Sequence, residues 1–357
     1  MKKLKSLSQL GIGIDHPTYF IAEIGSNFDG SKQRAIDLIG IAKEAGAQAV
    51  KFQHYTAKSL VNQHGFEEMA GKVSHQKEWK GSVYDVYDKA SLPLDWTPDL
   101  AEFSKREGIE FFSSPYSFDL AESIEPHVNF FKIGSGDITY TALIEFIAKF
   151  GKPILLGTGA SSIIDVDRAI SIIEAHNVES VVMQCNTNYT GLGDNNKHLN
   201  LNVFNTYKKH FPNSVLGLSD HMTEDNIVLA SIAMGARVVE RHFTDDTNRN
   251  GPDHPFSMDP SSWKEMILKA RELELMIGNG VKKIEKNEIE TAIVQRRGLC
   301  LTKNLDKGSV ITEENIEALR PCPEGAFEPH QIQELVGKKL KTNLSQGTVL
   351  THKHLEE

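Results

Sequence analysis

The sequence predicts an α/β protein: a closed (β/α)8 barrel followed by a small, mostly β domain. Three observations carry this expectation: eight short apolar, β-rich runs, helical patterns between most of them, and a change of texture after Lys283. The runs are FIAEIG (20–25), AVKFQ (49–53), EFFSSP (110–115), FFKIGSG (130–136), PILLGTG (153–159), VVMQCN (181–186), VLGLSD (215–220) and VVERHF (238–243). Between them apolar residues recur with helical period, as in Ala35, Leu38, Ile39 and Ala42, or Val166, Ala169, Ile170 and Ile173. Strands that are continuously apolar are covered on both faces, which here means a parallel sheet inside a layer of helices. Eight such units over roughly 250 residues is the size of a closed barrel. An open doubly wound sheet is the alternative, but no glycine-rich dinucleotide fingerprint follows the first strand.

One connection is too long for a simple crossover. Residues 54–93 separate the second strand from the next helix, and a long polar insertion with aromatics on this side of a barrel reads as a functional lid. The barrel domain is placed at residues 1–283 and a charged linker at 284–295. Residues 296–357 form the small domain, where short β-like runs are punctuated by Lys-Gly and Asn turns. A unit of that size buries little core and is expected to lean on something larger.

Composition narrows the function classes. The chain has 357 residues, 39% hydrophobic and 24% charged, with a formal net charge of −9. Those are ordinary globular values, and without a local basic patch they argue against a nucleic-acid partner. No apolar run reaches membrane-spanning length, and no apolar segment follows Met1-Lys2-Lys3. Cys185, Cys300 and Cys322 lack the short spacings of a zinc motif or disulfide framework and read as reduced thiols in a cytoplasmic enzyme.

In a barrel the reacting groups gather at the C-terminal strand ends, and an ionisable side chain in an apolar strand needs a reason to be there. Glu23, Ser26 and Asn27 lie at the first end, Lys51 and Gln53 at the second with shared parity, and Ser113 and Ser114 at the third. Lys132, Ser135 and Asp137 follow on the fourth, Thr158 on the fifth, and Asn186, Asn188 and Tyr189 on the sixth. Ser219, Asp220 and His221 close the seventh, Glu240 and His242 the eighth. A single strand lysine is commonly a snorkelling or salt-bridged residue; two lysines, a glutamate and two histidines converging on one rim point to a site. Two lysines among hydroxyls suit a small ligand carrying phosphate and carboxylate. His221 and His242, on neighbouring strands with Glu23 and Asp253 nearby, could share one divalent metal. Such N/O donors suit Mn²⁺, Co²⁺, Fe²⁺ or Zn²⁺ better than Ca²⁺. The segment RNGPDHPFSMDP (249–260) sets Asp253 on a rigid turn over the mouth.

The motifs AEIGSN, VKFQ, FKIGSGD, GLSDH, ERHFT and GPDHPFSMDP, then RRGL and KGSVITEENIEALRP, occur in this order over nearly the whole chain. Together they resemble the sialic acid (N-acetylneuraminate) synthase family, nonulosonate synthases whose C-terminal part is the antifreeze-like, or SAF, domain. The resemblance implies a TIM barrel that condenses phosphoenolpyruvate with N-acetylmannosamine or a related amino-sugar, releasing phosphate by C–O cleavage. It implies a bound divalent metal, Mn²⁺ first with Mg²⁺ or Co²⁺ as alternates, on His221 and His242. It further implies a domain-swapped homodimer in which the SAF domain of one chain caps the partner's barrel and Arg320 reaches the amino-sugar. By motif, Glu23, Lys51, Lys132 and Asp253 take catalytic roles. Gln53, Asn27, Ser114, Ser135, Asp137, Thr158, Asn188, Tyr189 and Ser219 bind substrate.

Three stretches depart from the family pattern. Phe28 stands where a histidine is usual, Thr190 replaces the proline after Asn186-Thr187-Asn188-Tyr189, and Arg320-Pro321 runs into Cys-Pro-Glu-Gly rather than glycine. The first two are expected where the sugar binds. The nearest competing enzyme is a barrel making a 3-deoxy-ulosonate from a phosphorylated aldose, a KDO-8-phosphate-type synthase, whose relatives do not normally carry an SAF domain. A non-catalytic carbohydrate- or ice-binding protein is the alternative of another class, and the intact rim of ionisable residues argues against it.

Overall fold

The computed structural model describes residues 4–69, 76, 81–189 and 193–356. They form two compact units, one ending at Gly278 and the other starting at Asn279.

The first unit is the expected barrel. Its strands are β1 (Tyr19–Glu23), β2 (Ala49–His54), β3 (Glu110–Pro115), β4 (Phe131–Ile133), β5 (Ile154–Gly157), β6 (Ser180–Cys185), β7 (Val215–Asp220) and β8 (Val238–His242). They pair in sequence order, and β8 returns parallel to β1 to close the ring. Strand interiors such as Phe20, Ile21, Val50, Leu155, Val182 and Val239 are fully buried, as expected of strands covered on both faces. The FFKIGSG run stops being a strand at Ile133, and Ser135–Asp137 turns in a 3-10 helix that follows Gly134 and contains Gly136.

Around the ring lie α1 (Lys32–Glu44), α5 (Thr97–Glu107), α6 (Phe118–Ile124), α7 (Thr141–Ala148), α8 (Ile163–Ala175), α9 (Val203–His210), α10 (Asn226–Ala233) and α11 (Pro260–Ile277). Local chemistry sets their ends. Ser31, Ser117 and Ser162 each accept a backbone N–H in the first turn of α1, α6 and α8, and Asp259 accepts two at the start of α11. The long insertion after β2 is largely helical: α2 (Ala57–Leu60), α3 (Gln63–Glu68) and α4 (Val83–Ala90). Its residues 70–75 and 77–80 lie outside the described residues, as does Thr190.

The second unit pairs β9 (Gly298–Leu301) antiparallel with β10 (Ile316–Leu319) around a core of Leu299, Leu301, Ile311, Phe327, Leu340 and Leu350. The stretch read as a linker carries α12 (Ile289–Gln295), and a short α13 (Ile332–Leu335) follows β10. No helix among the described residues is long and apolar enough to cross a membrane.

Candidate active site

The barrel mouth holds a cavity of about 330 Å³, lined from the strand ends, the insertion and the loop after β8. Register explains the convergence. Glu23 stands opposite Lys51 on one side and His242 on the other, and Ser219 stands opposite Glu240. Alternation then turns Gln53 with Lys51, and Glu240 with His242, into the same space.

At the base of this space carboxylates and ammonium groups alternate. Gln53 Nε2 donates to Glu23 Oε1 at 2.6 Å, and Lys51 Nζ lies 2.7 Å from Glu23 Oε2 and 3.9 Å from Glu240 Oε1. Lys132 Nζ donates to the same Glu240 oxygen at 2.6 Å, and Ser219 Oγ donates to it at 3.2 Å. Burial would raise the Glu240 carboxyl, but Lys132 and Lys51 beside it hold it well below the usual carboxylate range. Burial would lower the Lys51 ammonium, and Glu23 and Glu240 raise it instead. Lys51 and Glu240 are therefore ionised at neutral pH. Burying two acids against two bases costs more than apolar packing of the same volume, which is why this cluster marks a site rather than a core. Tyr116 borders it, its phenol raised by burial and then by Asp137. Asp137, on the turn after β4, is raised by burial from 3.8 to about 6.

Across the mouth the rings of His221 and His242 are 5.5 Å apart. His221 Nδ1 lies 3.0 Å from the Asn186 carbonyl, which only accepts, so Nδ1 carries the hydrogen and Nε2 keeps a lone pair. Burial, with His242 adding to it, lowers the His221 ring to about 3, so it is neutral. His242 Nδ1 is buried with no hydrogen-bond partner and lies 3.8 Å from Asp253 Oδ2. Asp253 is fixed by Ser26, whose N–H and Oγ donate to Oδ2 at 3.0 and 2.8 Å. Gly25 makes this approach possible: its φ is +53°, and a Cβ there would lie 2.6 Å from Asp253 Oδ2. Two imidazoles, one with an orphaned nitrogen, and a neighbouring carboxylate fit a divalent cation as an open donor set. Among the described residues no three His, Cys, Asp or Glu side chains already converge closely enough to hold one.

Glu23, Lys51, Gln53, Ser114, Lys132, Ser135, Asp137, Tyr189, Ser219, His221, His242 and Asp253 all line this cavity. Asn27 and Thr158 do not. The Asn27 amide donates to the Phe243 carbonyl and Ser257 Oγ, both at 2.9 Å, tying the loops after β1 and β8 together. Thr158 Oγ1 donates to the Met183 carbonyl and accepts from Tyr207. Asn188 borders a separate hollow with Asn186, Thr187 and His198. Phe28, expected at the sugar position, is buried edge-on against Trp96 in the core and off the cavity wall, so its departure from the pattern is a packing change. Arg320 belongs to the second unit. Glu240, visible at the rim but given no role, bridges the two lysines. Tyr116, unmarked by its spacing, and Cys185, read only as a reduced thiol, also line the cavity, as do Tyr55, Val61, Phe66 and Tyr87 of the insertion read as a lid.

Comparison with known proteins agrees with this architecture. The chain matches the NeuB family over residues 38–282 and the SAF domain over residues 296–356. It is 33% identical to the N,N'-diacetyllegionaminic acid synthase of Legionella pneumophila over 95% of this chain and 94% of that one. It is 29% identical to human N-acetylneuraminate-9-phosphate synthase over 95% of this chain and 93% of that one. The crystal structure of an N-acetylneuraminic acid (sialic acid) synthetase from Leptospira borgpetersenii superposes with a TM-score of 0.68 at 27% identity, covering 78% of this chain and 92% of that one. A barrel whose mouth carries this charged cluster, continued by an SAF domain, thus has its place: the protein belongs to the NeuB family of sialic-acid-type synthases and is an enzyme of the transferase type.

Proposed function

We propose that the enzyme condenses phosphoenolpyruvate with an amino-sugar aldehyde to give a nonulosonic acid and phosphate. The observation that carries this reading is the alternating row of Glu23, Lys51, Glu240 and Lys132 beside the facing histidines. A trianionic substrate needs cations away from bulk water, and each of the two buried lysines lies against a glutamate. Lys51, Lys132 and the Ser135 turn hold the phosphate and carboxylate. Bound to His221 and His242, a divalent metal would polarise the aldehyde oxygen.

The C2–C3 double bond of phosphoenolpyruvate supplies the electron pair for the new bond from C3 to the aldehyde carbon, whose oxygen takes up a proton. C2, left as an oxocarbenium, captures water. Glu23 removes that water's proton, a role worth about 10²–10⁴ in rate, with Asp253 the second candidate base. The bond from C2 to the phosphate oxygen then breaks as the new hydroxyl on C2 gives up its proton to the departing phosphate, leaving a 2-keto acid and inorganic phosphate. Arg320, from the SAF domain of a partner chain in a homodimer, completes the sugar's binding, and the reaction takes place in the cytoplasm.

The test is phosphate release from phosphoenolpyruvate by metal-stripped enzyme restored with Mn²⁺, against N-acetylmannosamine, its 6-phosphate, two diacetamido-trideoxy hexoses and arabinose 5-phosphate. Metal-dependent release with an amino-sugar is expected, and Glu23→Gln should bind phosphoenolpyruvate normally while turnover falls about 10²–10⁴-fold. Release with arabinose 5-phosphate alone would reassign the enzyme to the 3-deoxy-ulosonate class.

A further inference from the structure

We infer that Asp29 is a positioning residue: acting through His254, it fixes the turn that sets Asp253 and Phe256 against His242, and so governs how tightly the histidine pair takes a divalent cation. The inference rests on the metal site of the proposed function and concerns residues behind it. Neither Asp29 nor His254 lines the cavity.

Asp29 lies in the loop between β1 and α1 with φ +51°, a left-handed conformation uncommon for any residue but glycine. Such backbone persists where its surroundings hold it, and here they do. Oδ2 faces two guanidinium groups, with Arg249 Nη2 at 2.8 Å and Arg34 Nε at 3.1 Å. Oδ1 accepts from His254 Nε2 at 2.9 Å. His254 is fully buried, and its Nδ1 lies 2.8 Å from Thr244 Oγ1, so both ring nitrogens are engaged. Gly251 leaves room for that ring: a Cβ there would come within 2.6 Å of His254 Cδ2.

The anchored ring opens a single 3-10 turn, His254–Phe256. Asp253 precedes it, with Oδ2 3.8 Å from His242 Nδ1. Phe256 closes it, its ring edge-on to His242 at 4.9 Å and to His221 at 6.1 Å. One turn therefore places an acid and an aromatic ring against the same imidazole. Groups behind metal ligands fix the ligands' orientation, and their loss costs metal affinity as well as rate. The Arg34–Asp245 ion pair joins the same two loops, and Asp245 serves as the control.

The experiment measures Mn²⁺ binding to the metal-stripped full-length enzyme by electron paramagnetic resonance, with no substrate present. Asp29→Asn keeps the shape and suits the left-handed backbone, but offers one acceptor oxygen where the carboxylate offers two. It should weaken Mn²⁺ binding about 10–100-fold. At saturating Mn²⁺ it should lower kcat and leave the KM for phosphoenolpyruvate in place. Arg249→Gln, at an exposed position, should weaken Mn²⁺ binding by less. Asp245→Asn should lower the thermal midpoint and leave Mn²⁺ affinity unchanged. Wild-type Mn²⁺ affinity in Asp29→Asn, or in Arg249→Gln if the first chain does not fold, overturns the inference. A loss in Asp245→Asn equal to that in Asp29→Asn also overturns it, because general lacing of the loops would then be the cause. Both results leave the metal site standing, whereas a wild-type enzyme that binds no Mn²⁺ overturns the metal reading and the inference together.

Discussion

Asp137 shows what one side chain gives up to stand at this mouth. Its carboxyl is raised by burial from 3.8 to about 6, so between those pH values the unfolded chain releases a proton that the folded chain keeps. Stability must fall as pH rises through that window and stay lower above it. Asp137→Asn should therefore stabilise the ligand-free protein at pH 7.5 by about 1–3 kcal/mol. The gain should vanish near pH 3.5, as thermal unfolding of both proteins across pH would show. Such costs are also why the site was readable: Glu23, Lys51, Lys132, His221 and His242 are expensive in apolar strands, and expense betrays purpose. Asn27 and Thr158 carry no such mark. An uncharged polar group at a strand end is equally useful for tying down a neighbouring carbonyl, as both do, and sequence cannot separate the two uses.

Between residues and the whole, the strand pair β7–β8 carries a feature that parity conceals. Asp220 and Arg241 are register partners whose side chains face away from the barrel lumen, and Arg241 Nε lies 3.1 Å from Asp220 Oδ2 with both almost fully buried. His221 and His242 are the next residues along each strand, so this pair rivets together the two backbones that present the imidazoles. Asp220→Ala would strand a buried guanidinium and should destabilise the protein by about 3–5 kcal/mol in denaturant titration. The strands themselves were legible, since continuous apolar runs between helical patterns leave few alternatives. Their ends were not: β4 stops at Ile133 because the backbone turns between Gly134 and Gly136. The insertion looked like a lid because of its length, and it contributes α2–α4 and part of the cavity wall.

For the whole molecule, the proposed assembly makes a prediction that neither unit makes alone. Mixing inactive Glu23→Gln chains with Arg320→Ala chains should restore activity. Each exchanged dimer then pairs one intact barrel with one intact partner arginine, giving at most about a quarter of wild-type turnover if subunits mix at random. Activity no greater than the sum of the two variants measured separately would mean that each barrel works without its partner's arginine. The chain passes from the first unit to the second between Gly278 and Asn279, ahead of the change of texture after Lys283, and α12 occupies what read as a linker. The closed ring has one more consequence, for the chain as it is made. Strand β1 emerges first and β8 last, yet they must pair, with Glu23 beside His242. At ribosomal speeds of about 5–20 residues per second, the roughly 220 residues between them keep the first strand's edge unpaired for roughly ten to forty seconds. Throughout that time the nascent barrel is an open sheet, a natural client for chaperones, and the last strand to arrive both seals it and delivers the second histidine.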